Sequence, residues 1–168
     1  IPYVFTFWKS AKVDYIVGQL VILKNNYKEK RMFISEKEMK EIFWKNYNRK
    51  GRALRYQFEC PIREGAADLL TIECYQAEYQ INGFEFKLTD IKKALLQAEA
   101  NLPYVNKSWI VIPDEKEELI QNKYMLHLKE KKHIGVMCVS AGGKFKIIYQ
   151  PRFKKEVIMN QIVFKLCM

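Results

Sequence analysis

The sequence lacks the features that mark membrane, secreted and metal-stapled proteins. No run of about 18 apolar residues occurs, so no segment is long enough to span a bilayer as a helix. The start of the chain has no basic stretch followed by an apolar core and a small-residue cleavage site. The four cysteines form no C-x-x-C pair, and the two histidines complete no zinc-site spacing. We therefore expect a soluble, intracellular protein with reduced thiols.

Linkers, internal repeats and low-complexity tracts are also missing, and the chain has only 7 glycines and 5 prolines. A chain of 168 residues, of which 49% are hydrophobic, can bury one core of ordinary size. We predict a single domain over residues 1–168 with its core at 35–151. Strands within 1–30 (3–8 and 15–23) and a tail over 152–168, either helix or strand, are predicted as additions to that core.

Positive charge is what the chain has in excess. Its 29 Lys and Arg residues outnumber 19 Asp and Glu residues, which gives a net charge of +10. Such an excess favours a polyanionic partner, because each phosphate that a protein neutralises releases a condensed counterion. Basic domains without any nucleic-acid role are equally compatible with this charge, so the partner has to be argued from the residues themselves.

Local signals predict an α/β protein with the order helix, three strands, helix, strand, helix and hairpin. The predicted strands are residues 54–60, 66–73, 80–88, 109–112, 133–139 and 144–150. The predicted helices run from Ser35 to Gly51, from Thr89 or Asp90 to Leu102, and from Asp114 to about residue 130. This order implies a three-layer α/β/α sandwich around a mixed central sheet.

Two of these assignments depend on local turn and cap signals. The first and third helices each begin with a capping box, Ser35 with Glu38 and Asp114 with Glu117. The dipeptide Asn82-Gly83 normally marks a hairpin turn. An alternating strand pattern follows it directly, and the family resemblance described below requires a strand there. We therefore place the turn within 74–79.

The residues that carry chemistry lie on the second and third predicted strands. Side chains alternate along a strand, so Glu85 and Lys87 share one face while Phe84 and Phe86 face the core. Asp68, on the preceding strand, approaches Glu85 if the two strands pair. Two carboxylates with a backbone carbonyl form an oxygen-lined site that suits Mg²⁺. A protonated lysine beside them would stabilise negative charge or orient a water.

The pattern Asp68-x16-Glu85-x-Lys87 resembles the bipartite signature of the PD-(D/E)XK nuclease superfamily. The resemblance extends over residues 35–151 and includes the hairpin segment HIGVMCVSAGGKFKIIYQP. It implies a restriction-endonuclease-like fold and a metal-dependent endonuclease that hydrolyses DNA phosphodiester bonds. Asp68, Glu85 and the carbonyl of Phe86 would hold Mg²⁺, or Mn²⁺ in its place, and Lys87 would assist the attacking water. Ala67 departs from the pattern, because a proline nominally stands there.

The resemblance also implies two further catalytic residues. Many members carry a glutamate on the first helix, and Glu38 is the choice here because it flanks the apolar face. Glu41 points away from that face, and Glu36 is an alternative. Some members carry a glutamine on the helix after the lysine, and Gln97 matches it.

Partners follow from the same resemblance. DNA, duplex or branched, is the expected substrate, with Lys92 and Lys93 as contacts because their helix starts beside Lys87. Many members cut two strands as dimers, so a homodimer is compatible with the pattern, and no membrane partner is expected. The similarity to small bacterial and phage members implies a cytoplasmic protein. Two alternatives stay open: a catalytically silent nucleic-acid-binding module, and an interaction protein of phage or mobile-element origin on the same fold.

Overall fold

The computed structural model describes residues 32–168, of which Phe33–Met168 form one compact unit. The strands predicted within 1–30 lie outside the described residues. One six-stranded sheet contains β1 (Ala53–Cys60), β2 (Ala67–Tyr75), β3 (Glu78–Phe86), β4 (Lys107–Pro113), β5 (Ile134–Val139) and β6 (Phe145–Tyr149). The α-helices are α1 (Glu36–Tyr47), α2 (Ile91–Asn101), α3 (Glu117–Leu119), α4 (Met125–Glu130) and α5 (Gln161–Cys167).

The sheet is mixed, and its strand order follows the chain from β1 to β6. The first three strands form an antiparallel meander, β4 and β5 join in parallel to β3, and β6 returns antiparallel. Parallel neighbours need a crossover connection, and α2 supplies the one between β3 and β4. The predicted α/β class with a mixed sheet is therefore confirmed.

Helices cover both faces of the sheet, and alternate residues of one strand therefore pack in different apolar clusters. On β4, Trp109 packs in the cluster of α1, whereas the next residue, Ile110, packs in the cluster of α2. Phe84 and Phe86 of β3 are fully buried against α1, as predicted. Burying each of these side chains contributes roughly 2–3 kcal/mol, so β3, the strand that carries Glu85, is firmly anchored in the core.

The start of α1 follows the prediction in part. The Ser35 hydroxyl caps the helix by accepting a hydrogen bond from the backbone N–H of Glu38 at 3.1 Å. The Glu38 carboxylate, however, accepts the N–H of Ile34 at 2.8 Å, one residue before the cap. The helix ends at Tyr47 rather than at Gly51, which lies in the following turn with a left-handed φ of 66°. That backbone conformation is open to glycine without strain.

The hairpin between β2 and β3 confirms the predicted turn position. Gln76 and Ala77 have positive φ angles of 51° and 65° and connect the strands within the predicted range 74–79. Asn82 and Gly83 lie inside β3, paired with β2. The strand context therefore outweighs the local turn propensity of the Asn-Gly pair.

The segment after β4 departs from the predicted helix. It consists of a 3₁₀ turn (Asp114–Lys116), α3, a π-helical turn (Ile120–Tyr124) and α4. The predicted capping box is wrong, because Pro113 occupies the cap position and no side chain caps the turn. The predicted packing of this segment is nevertheless present, with Ile120 and Leu128 fully buried.

The tail has no regular secondary structure over 152–160 and then forms α5, which Asn160 caps through its side-chain oxygen. Within residues 32–168, no helix is both long and apolar enough to cross a membrane.

Candidate functional site

Three carboxylates occupy one row across β1, β2 and β3. Continuing the register of β2 one step from Leu69 places Asp68 opposite Glu59 of β1 and Glu85 of β3. Opposed residues of antiparallel strands have Cβ atoms about 4.5–5.5 Å apart. Asp68 also accepts the backbone N–H of Phe86 at 2.7 Å through Oδ2. The pairing of β2 with β3 therefore brings Asp68 and Glu85 together, as the sequence predicts.

Lys87 directly follows β3 and contacts Asp68, whereas Glu85 is held by Asn101 of α2. The predicted shared face of Glu85 and Lys87 therefore does not bring these two side chains into contact. The Lys87 Nζ lies 3.9 Å from Asp68 Oδ2, donates to the Phe86 carbonyl at 2.8 Å and contacts Glu36 Oε2 at 3.2 Å. A second lysine, Lys40 of α1, lies 3.6 Å from Asp68 Oδ1. The side chains of Lys87 and Asp68 are only 10% and 18% exposed, so their attraction is weakly screened by solvent.

Glu85 is fully buried and holds its hydrogen bonds on one side only. Its Oε1 accepts from Asn101 Nδ2 at 2.7 Å and from Arg63 Nη2 at 3.1 Å. Its Oε2 is buried and has no partner among the residues that the structure describes. Burial raises the pKa of Glu85 to about 7, against the hydrogen bond from Asn101, and the negative charge of Asp68 adds to the rise.

The donor chemistry around this row fits a hard divalent cation. Asp68 and Glu85 offer carboxylate oxygens, and Phe86 offers a carbonyl that Lys87 presently occupies. The unpartnered Glu85 Oε2 is the kind of buried oxygen that a bound cation satisfies. Over residues 32–168, no group of three His, Cys, Asp or Glu side chains forms a metal cluster. Two carboxylates suit Mg²⁺, which usually keeps several waters.

A groove of about 430 Å³ opens beside Asp68, between α1 and β1. It is lined by Glu36, Lys37, Lys40, Glu41, Phe58, Glu59 and Asp68. Glu59 contacts Lys40 and has a left-handed φ of 47°, an uncommon conformation for a residue with a side chain. Backbone strain of this kind recurs where surrounding contacts hold a side chain in place at a site.

The structure places the candidate glutamates of the first helix differently, and the choice of Glu38 stays a prediction. Lys87 contacts Glu36 in the first turn of α1, whereas the Glu38 carboxylate bonds the N–H of Ile34. Glu41, which helix periodicity places away from the apolar face, lines the groove. Helix periodicity ranks these residues by their distance from the apolar face. It does not indicate which of them lies next to Lys87, because that depends on where β3 ends relative to α1.

Gln97 lies on α2, one turn before Asn101 and therefore on the same side of the helix. Its Oε1 is buried without a partner in the part of the chain that the structure describes. Lys92 and Lys93 are exposed at the start of α2. Lys92 lines a groove beside the π-helical turn and α4. Neither Lys92 nor Lys93 shares a contact or a groove with Lys87 among the described residues.

Sequence reasoning missed three residues of this site, Lys40, Arg63 and Asn101. Asn101 had a usable signal, because it follows Gln97 by four positions on the polar stripe of α2. Arg63 lies in the connection between β1 and β2, where no periodicity predicts the direction of a side chain. It donates from Nε to Asn101 Oδ1 at 2.6 Å and so fixes the amide that binds Glu85.

Comparisons with known proteins add little to this geometry. No family model and no curated protein matches the chain. A solved structure, described as the SPO1766 protein of unknown function from Silicibacter pomeroyi, is similar over 74% of this chain and 78% of its own. The two sequences are 14% identical and the TM-score is 0.48. A similarity at this level carries no argument about fold family or function.

Proposed function

We propose that the protein is a metal-dependent endonuclease of the PD-(D/E)XK type that hydrolyses DNA phosphodiester bonds on a restriction-endonuclease-like fold. The observation that carries the proposal is the row in which Asp68 opposes Glu85, with Lys87 Nζ 3.9 Å from Asp68 Oδ2. The elements around the row support it. One helix, three antiparallel strands, a crossover helix and a parallel strand follow in the order that the family resemblance implies.

Asp68 and Glu85, with the Phe86 carbonyl, would hold Mg²⁺ or Mn²⁺. The cation supplies charge neutralisation at the scissile phosphate and lowers the pKa of a bound water. Lys87 holds an ammonium group at this position, where it would stabilise negative charge that develops on the phosphate. Arg63 and Asn101 orient the Glu85 carboxylate through Oε1 and leave Oε2 available.

The direct test is cleavage of supercoiled plasmid and branched DNA with Mg²⁺ or Mn²⁺. Wild type would be compared with Glu85→Ala and Lys87→Ala, and with the exposed control Lys129→Ala. We expect metal-dependent nicking that both site substitutions reduce at least about 100-fold, equivalent to about 3 kcal/mol in the barrier, while the control stays near wild type. Nicking that survives in Glu85→Ala would contradict the proposal.

A binding measurement separates metal affinity from turnover. Mg²⁺ or Mn²⁺ should raise the melting temperature of wild type, because a ligand that binds only the folded state stabilises it. Asp68→Ala should lose this shift, and Lys129→Ala should keep it. An equal shift in wild type and Asp68→Ala would locate the metal elsewhere.

One observation favours a second candidate, a nucleic-acid-binding module without cleavage. Cationic side chains already contact both carboxylates, since Lys40 and Lys87 flank Asp68 and Arg63 bonds Glu85 Oε1. A site of this kind needs no added cation. It predicts DNA binding without nicking, and no metal-induced rise in the melting temperature of wild type.

A further inference from the structure

The edge of the sheet beside the groove carries an exposed aromatic cluster, formed by Trp44 of α1 and by Tyr56 and Phe58 of β1. The Trp44 ring centroid lies 4.5 Å from that of Tyr56 and 5.6 Å from that of Phe58. Tyr56 and Phe58 are 48% and 36% exposed, and their own centroids are 5.9 Å apart. Mutual contacts therefore hold three rings together while much of two of them stays accessible.

Packing against the core accounts for Trp44 but not for Tyr56 and Phe58, which stay exposed. Among residues 32–168, β1 is an edge strand whose residues 54–59 are exposed, so the rings forgo much of the roughly 1.5–3 kcal/mol that full burial of each would contribute. An exposed aromatic edge strand is also a template for unwanted pairing between chains. Apolar surface kept at such an edge is a mark of a binding surface.

The cluster is continuous with the proposed catalytic groove. Phe58 lines that groove together with Asp68. Lys37 and Lys40 of α1 line it beside three further carboxylates, and Lys40 contacts Asp68, so Lys37 is the cation of the groove without an ion pair among the described residues. Aromatic faces for bases and nearby cations for phosphates are the two components of sites that bind single-stranded nucleic acid. The groove volume of about 430 Å³ also falls in the ordinary range for small-ligand pockets.

Charge favours nucleic acid over a second copy of the chain as the occupant. The net charge of +10 makes two identical copies repel and attracts phosphates. In a regular duplex, the faces of the bases are covered by their stacked neighbours, so aromatic rings can stack only on bases that are unpaired. The chemistry of the cluster therefore selects for an unpaired stretch.

We propose that Trp44, Tyr56 and Phe58 form a stacking platform for unpaired bases, and that the substrate carries an unpaired stretch next to the scissile phosphate. Single-stranded, flap or branched DNA meets this requirement, whereas uninterrupted duplex does not. The choice of substrate rests on the proposed nuclease function. The stacking itself does not, because binding can be measured when no cleavage takes place.

The test is the affinity of the full chain for fluorescent oligothymidylate and for a duplex of equal length, measured in EDTA by anisotropy. Phe58→Leu keeps apolar bulk but removes the ring, and Phe58→Tyr keeps the ring. Phe153→Ala is the control, since Phe153 is exposed to nearly the same extent, 38%, on the segment between β6 and α5. Thermal melts check that every variant is folded.

We expect Phe58→Leu to weaken single-strand binding by about 5- to 100-fold, the range of one stacked base, and to leave duplex binding unchanged. Phe58→Tyr and Phe153→Ala should stay within about twofold of wild type on the same scale. Equal losses on single strand and duplex, or no loss, would overturn the platform. Self-association that Phe58→Leu abolishes, seen by sedimentation, would overturn it in favour of a second copy.

The two proposals fail separately. Ring-dependent single-strand binding without any metal-dependent nicking would retain the platform and remove the nuclease. If Glu85→Ala instead abolishes metal-dependent nicking while Phe58→Leu leaves single-strand affinity unchanged, that result would retain the nuclease proposal and exclude the stacking platform.

Discussion

Two glutamates on adjacent strands, Glu73 of β2 and Glu85 of β3, are almost equally buried, at 2% and 0% exposure. Glu73 has partners on both oxygens. Oε1 accepts from the hydroxyls of Tyr47 at 2.6 Å and Thr71 at 2.9 Å, and Oε2 accepts from Arg52 at 2.9 Å. Glu85 has two donors on Oε1 and none within residues 32–168 on Oε2.

The comparison teaches that burial alone does not distinguish a structural carboxylate from a functional one. A buried carboxylate with a complete set of donors rigidifies its surroundings and has no capacity left for a ligand. A buried carboxylate with an unpartnered oxygen is destabilising unless something binds it, which is the condition expected of a ligand site. Substitutions at the two positions should therefore have opposite effects on stability.

The largest expected effect is at Glu73. Glu73→Ala leaves the Tyr47 hydroxyl without its acceptor and the Arg52 guanidinium without its partner, so we expect the free energy of unfolding to fall by about 3–5 kcal/mol. Urea denaturation measures it. Glu78→Ala, at an exposed carboxylate on the hairpin, is the matched control and should change stability by less than about 0.5 kcal/mol. A similar loss of unfolding free energy in both variants would contradict the structural role of Glu73.

The next effect is at Glu85 and has the opposite sign. The folded pKa of about 7 lies above the ordinary value of 4.5, so the native state binds more protons than the unfolded state between these values. Ionisation of Glu85 therefore opposes folding as the pH rises through this window, and the full cost persists above pH 7. Glu85→Gln cannot ionise and keeps an amide oxygen for Asn101.

In EDTA, we expect Glu85→Gln to be more stable than wild type above pH 7, by on the order of 2–3 kcal/mol. The advantage should shrink to nearly zero as the pH falls below about 4, where the wild-type carboxyl becomes protonated in both states. Denaturant titrations across this range measure the difference. A constant difference at every pH would mean that the charge of Glu85 costs the fold nothing.

The smallest effect is at a surface carboxylate, Glu99, which sharpens the contrast. Partial burial alone would raise its pKa, but hydrogen bonds from Lys131 and His127 outweigh burial and lower it. A depressed carboxyl pKa stabilises the fold at neutral pH, and this contribution disappears as the pH falls through the folded value. Glu99→Gln should cost less than about 1 kcal/mol at pH 7, because exposed pairs are screened. Thermal melts at neutral and acid pH check it, and a larger loss at acid pH would reverse the assignment.

Most of the fold was accessible from the sequence because its signals are local. Alternation predicted the strands, and a single cap residue, Asp90, begins α2 with its side chain on the N–H of Lys93. The prediction failed where a local signal met a competing one. Asp114 matched a capping pattern, but Pro113 directly before it occupies the cap position and a 3₁₀ turn begins instead.

The candidate site was accessible only where strand pairing determines it. The Asp68–Glu85 pairing follows from two consecutive strands and a short turn, so spacing predicted it. The contact of Glu36 with Lys87 joins residues 51 positions apart, and the contact of Arg63 with Glu85 joins residues 22 positions apart. Both are made by the ends of long side chains. No periodicity encodes such contacts, because they depend on how a helix and a connection dock on the finished sheet.

The strand order has a consequence for how the chain folds. Because each strand pairs with the next one along the sequence, the sheet can grow from β1 to β6 as the polypeptide leaves the ribosome, without waiting for a distant partner. The connections that close the antiparallel pairs β1–β2, β2–β3 and β5–β6 are short, which favours rapid folding, whereas the parallel pairs β3–β4 and β4–β5 close over longer crossover segments. The exception is α5, whose Val163 packs with Cys60 and Ile62 near the end of β1. A helix that is synthesised after all six strands of the described sheet thus docks on β1, and a ribosome-stalled chain that lacks α5 should already contain this sheet but leave that apolar patch open to chaperones.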